Sequence, residues 1–84
     1  MNNEVLTVGA TAVPLNRYDD TTRKAMITVE TDQIRYWVDG NDPSASAGHL
    51  LEAGDAVVLE TRNEIKHFKA IRVTLDATCQ VSYV

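Results

Sequence analysis

Ala25-Met26-Ile27-Thr28-Val29-Glu30, Thr31-Asp32-Gln33, Ile34-Arg35-Tyr36-Trp37-Val38-Asp39: this run decides the fold class, because its apolar and polar side chains alternate with period two. Ala25, Ile27 and Val29 share one face, with Met26, Thr28 and Glu30 on the other. After the turn-forming Thr31-Asp32-Gln33, Ile34, Tyr36 and Val38 alternate with Arg35, Trp37 and Asp39. Two strands joined by so short a connector are expected to pair as a hairpin.

The same period recurs to either side. Val5-Leu6-Thr7-Val8 is an N-terminal strand stopped by Gly9-Ala10. Val13-Pro14-Leu15 is an edge strand or loop crossing, because proline cannot donate to a ladder. Ala56 to Glu60, apolar at Val57, Val58 and Leu59, is expected to be central. Ile65 and Phe68, three apart, suit one helical turn rather than a strand. Lys69 to Leu75 returns to alternation, with Ile71, Val73 and Leu75 on one face, and Cys79, Val81 and Tyr83 close the chain as a last strand. The sum is an all-β domain spanning 1–84, a small antiparallel β-sandwich of six to seven short strands.

Bulk properties narrow the functions. A chain of 84 residues buries only about 60–65% of its unfolded surface, so its stability margin is thin. Cys79 is the one cysteine, which excludes an internal disulfide. With only His49 and His67 beside it, and no paired spacing, no zinc site is expected. Self-association or docking on a larger assembly is the remaining route to added stability. Lys and Arg total 8 against 12 for Asp and Glu, a net charge of −4 that supplies no phosphate-neutralising face for nucleic acid. No apolar run is long enough to span a bilayer, and Met1-Asn2-Asn3-Glu4 lacks the basic start of a secretory signal. Synthesis in a cytoplasm is expected, with any extracellular presence owed to an assembled particle.

Candidate site residues gather around turns and aromatics. Asp39, Asn41 and Asp42 carry hard oxygen ligands, but their spacing departs from the calcium-loop pattern, and self-bonded turn residues account for them. His49 follows Gly48 and is a subunit-contact candidate or a loop-capping histidine; His67 is an ordinary exposed or half-buried side chain. Tyr18, Tyr36 and Trp37 could form a platform for a protein contact or for stacking sugars. Trp37 itself points outward as a contact residue or inward as core. Trp37, Tyr18, His49, Asp39 and Asp42 are therefore the partner-contact candidates. Asp19 and Asp20, among Arg17, Arg23 and Lys24, read as a solvated loop tip. Cys79, at period two with Val81 and Tyr83, reads as a buried structural thiol rather than a nucleophile. No nucleophile elbow, Ser-His-Asp order or cofactor loop is present, so neither enzymatic activity nor a cofactor is expected.

Two resemblances sharpen this. Ile34-x-Tyr36-x-x-Asp39-Gly40-x-x-Pro43 resembles a strand-turn motif of immunoglobulin-like accessory domains of the chitobiase and β-hexosaminidase type, which implies an immunoglobulin-like sandwich and makes a glycan a candidate ligand. More widely, Ile27-Thr28-Val29-Glu30-Thr31, Ile34-Arg35-Tyr36, Asp39-Gly40-x-Asp42-Pro43, Gly48-His49-Leu50, Gly54-Asp55, Glu64-Ile65-x-x-Phe68-x-Ala70-Ile71-Arg72 and Gln80-Val81-Ser82-Tyr83 are similar to a family of small proteins from tailed-bacteriophage structural gene sets. The similarity runs over most of residues 5–84, with Trp37 replacing a smaller or basic residue. It implies a virion protein made in the bacterial host cytoplasm, present as a homo-oligomer or in many copies. Its partners would be capsid, connector or tail proteins, in a capsid-decoration or head–tail connector role.

Overall fold

The computed structural model describes residues 2–84 and shows a two-layer antiparallel β-sandwich. Its elements are β1 (Asn2–Val8), β2 (Val13–Pro14), β3 (Ala25–Thr31), β4 (Ile34–Trp37), β5 (His49–Leu51), β6 (Ala56–Leu59), α1 (Arg62–His67), β7 (Lys69–Arg72) and β8 (Ala77–Tyr83). One sheet has the order β1-β8-β3-β6, the other β2-β7-β4-β5.

The alternation seen in the sequence fills the space between the sheets. Leu6 and Val8 of β1, Ala25, Ile27 and Val29 of β3, and Ala77, Cys79, Val81 and Tyr83 of β8 all point inward and are buried. Ile34 and Ala70 come from the second sheet. The short helix follows β6 and buries Ile65, and Phe68 is buried just after it. Its start is fixed by a capping box: the Glu64 N–H donates to Thr61 Oγ1 at 3.1 Å, while Glu64 Oε1 accepts from the Thr61 and Glu60 N–H groups.

Four expectations are corrected. β3 and β4 do not form a hairpin; β3 pairs with β6 and β8, whereas β4 pairs with β5 and β7. Asp32 takes a left-handed conformation (φ 56), and Thr31-Asp32-Gln33 is a corner that carries the chain from one sheet to the other. β6 is an edge strand, not a central one, and Val58 is 48% exposed. β7 ends at Arg72, leaving Leu75 59% exposed in the connection to β8. Among the described residues the strands number eight rather than six to seven, because Val13–Pro14 and His49–Leu51 each pair briefly at the edges of the second sheet. Pro14 lies on an outermost strand, where its missing N–H costs no ladder bond.

Candidate contact surface

The predicted contact residues divide between two places. At the end of the second sheet, His49 stands directly across from Tyr36, their rings 5.2 Å apart, and its imidazole meets the Trp37 indole edge-on at 5.3 Å. Tyr36 stacks at 5.5 Å on the buried Phe68, so the cluster is anchored in the core and emerges at the surface through half-buried Trp37 and exposed His49. Burial first, and then the charge of Glu64, push the Tyr36 phenol up from its ordinary value. Trp37 is half-buried, between the fully exposed and the fully covered positions weighed in the sequence. Tyr18 joins none of these ring pairs; it packs half-buried against the core from the segment after β2. A single Tyr18–Tyr36–Trp37 platform is therefore not formed.

The acidic turn is organised by its own bonds. Both Asp39 carboxylate oxygens accept from Asn41, one from the backbone N–H and one from the side-chain amide, each at 3.0 Å. Gly40, at φ +86, donates its N–H to the carbonyl of His67 at 3.1 Å, tying the turn to the end of α1. A Cβ there would stand 3.2 Å from the His67 ring. Asp42 accepts from Lys69 Nζ at 3.0 Å, and Lys69 lies across from Trp37. Arg35 ties down the rest of the loop, donating to the carbonyls of Ala45 at 3.1 Å and Gly48 at 2.9 Å. Trp37, His49 and Asp42 thus share one end of the molecule. The outer surface of this sheet places Pro14, Lys69 and Trp37 in one row and Ile71, Arg35 and Leu50 in the next.

Asp19 is more than a solvated tip. Its carboxylate accepts from the Thr21 N–H at 2.8 Å and its own N–H donates to buried Thr22 Oγ1 at 3.0 Å, a closed turn. The bonds from Thr21 come first among the causes that hold its carboxyl below the ordinary value. Cys79 is fully buried on β8, and burial followed by the nearby charge of Glu30 pushes its thiol to about 11, so the reactive thiolate is disfavoured.

A second surface was not singled out from sequence. The outward side of the first sheet reads Asn3–Ser82–Met26–Val58 across one row, Val5–Gln80–Thr28–Ala56 across the next, and Thr7–Thr78–Thr31 across the third. None of these side chains is charged. Val5, Met26 and Val58 remain 63%, 48% and 48% exposed. Glu30, at the bulge in β3, borders this face and accepts from the Gln80 amide. The signal lay in the outward positions Met26 and Thr28 of β3 and Thr78, Gln80 and Ser82 of β8, where uncharged residues stand in place of the Lys and Glu common on solvated strands. Beside β1, a groove of about 550 Å³ is lined by Asn3, Glu4, Val5, Asn16, Arg17 and Gln80. Among the described residues no group of three or more His, Cys, Asp or Glu side chains is placed to hold a metal ion.

Comparison with known proteins finds no match: no family model fits the sequence, and no curated protein or solved structure is significantly similar to the chain.

Proposed function

We propose that this protein is an accessory structural component of a tailed-bacteriophage particle, working by protein–protein contact at the capsid surface or the head–tail connector. The observation that supports a contact role is the uncharged outer face of the first sheet, with Val5, Met26 and Val58 held up to solvent. A chain with 24% charged residues that leaves three adjoining rows of one sheet face without charge, bordered by Glu30, has a surface suited to being covered. The phage setting rests on the sequence resemblance over residues 5–84. Mass spectrometry of particles purified from the phage that encodes the chain tests it: the polypeptide is expected at a fixed ratio to the major shell protein. Its absence from washed, intact particles refutes the proposal.

Carbohydrate binding is the second reading, favoured by the half-exposed Trp37 ring beside His49. Saturable quenching of Trp37 fluorescence by a glycan would support it. A flat titration against a panel of bacterial surface sugars would remove it.

A further inference from the structure

We propose that two copies of this chain pair antiparallel through β6, about a two-fold axis at Val57, and so join their first sheets into one. This deepens the contact reading above and rests on it, although not on the phage setting. Each sheet has two outer strands, and three of the four are closed to further pairing. β2 has two residues, one of them Pro14. β5 has three. β1 turns Glu4 inward, and that carboxylate holds the backbone N–H groups of Asn16 and Arg17 at 3.0 and 3.2 Å, while the Asn2 amide donates to the Arg17 carbonyl at 3.1 Å, so a loop flanks this edge.

β6 has none of these protections. Its sequence is Ala56-Val57-Val58-Leu59, without lysine, proline or any charge. Val29 exchanges bonds with the turn before β6, its N–H donating to the Asp55 carbonyl at 2.9 Å and its carbonyl accepting from Gly54 at 2.7 Å. Bonded pairs then alternate along an antiparallel ladder, through Ile27–Val57 to Ala25–Leu59. The N–H and C=O groups of Ala56 and Val58 therefore point outward at the open edge. Beyond them the edge is closed, because the Glu60 N–H is taken by Glu64 Oε1 at 3.0 Å.

The free groups are self-complementary. With Val57 opposite Val57 of a second copy, Ala56 of each copy faces Val58 of the other as a doubly bonded pair, and every free group finds a partner. Inward-facing valines meet at the axis. On the outer face Val58 and Met26 extend into the same residues of the other copy. This register sets Asp55 across from Leu59 and Glu60 across from Gly54, so no two acids face one another. A slip of one residue would place Asp55 opposite Glu60 and turn inward side chains outward, which disfavours it.

Sedimentation equilibrium over a concentration series tests the pairing. The wild-type chain is expected at twice its 9.3 kDa monomer mass, with the Ala56 and Val58 amides protected from hydrogen exchange. V58K, at an exposed position, should restore the monomer mass and fast exchange at both amides while keeping the circular dichroism spectrum, with a urea midpoint that no longer depends on protein concentration and matches that of the diluted wild-type chain. V57C in a C79A background should form an intermolecular disulfide across the axis. A wild-type chain that stays monomeric at millimolar concentration overturns the inference, as does a dimer that V58K leaves intact. Either failure leaves the particle assay to decide the phage role, and a negative particle assay leaves this pairing standing.

Discussion

Tyr83→Phe removes one hydroxyl from the bond that ties the last strand to the first. Tyr83 is 1% exposed, and its hydroxyl donates to Glu4 Oε1, which also accepts from the Asn16 and Arg17 N–H groups. The phenylalanine ring fills the same space, so the loss is confined to a hydrogen bond to a charged acceptor, worth about 1.5–3 kcal/mol. Glu4→Ala removes that bond and the two backbone bonds. Because the backbone groups lie in exposed positions, water takes up most of their loss, and the total comes to about 2–4 kcal/mol. For a domain of this size each kcal/mol shifts Tm by roughly 4–8 °C, so Tyr83→Phe should lower it by about 6–24 °C. Urea unfolding followed by Trp37 fluorescence gives the free energies. A double-mutant cycle between the two positions should return a coupling of about 1–2 kcal/mol. A Tyr83→Phe loss below about 0.5 kcal/mol, or zero coupling, would refute the view that this bond secures the closing strand pair.

Alkaline pH should weaken the fold. Burial pushes the Cys79 thiol up to about 11, and burial together with Glu4 raises the Tyr83 phenol well above its ordinary range. A raised folded pKa contributes stability that is complete below the unfolded value and is lost as pH climbs toward the folded one, so the urea midpoint should hold below about pH 8 and fall from about pH 9 upward. Native protein at pH 8 should leave Cys79 unlabelled by a thiol reagent until denaturant is added. Ile27→Ala should cost about 2–5 kcal/mol by cavity formation, whereas Val58→Ala, on the exposed edge, should cost under about 1 kcal/mol in the free energy of unfolding measured per monomer. Gly40→Ala should destabilise by about 1–2 kcal/mol, because its positive φ and the nearby His67 ring both oppose a side chain; chemical denaturation measures it.

Side-chain period made much of the fold legible. Inward positions at Ala25, Ile27 and Val29, and at Cys79, Val81 and Tyr83, are core residues as the alternation requires, and Ile65 with Phe68 lies in and just after a helical turn. The contact candidates were partly legible. Trp37 and His49 meet because they lie on paired neighbouring strands, a relation that no local pattern encodes. Tyr18 stands apart because the long connection between β2 and β3 carries it elsewhere against the core.

By itself the sequence determined which side of each strand is dry, since that depends on local alternation against a two-residue repeat. Strand partnership was decided only in three dimensions. A three-residue connector at Thr31-Asp32-Gln33 serves a hairpin or a sheet-to-sheet corner, and packing of the two inner faces selects the corner. The apolar run at β6 looked like a central strand, yet hydrophobicity records only the wish to be covered, not by which chain. The uncharged face that this protein leaves open exists only once β1, β8, β3 and β6 lie side by side, because it is assembled from single residues far apart in the chain.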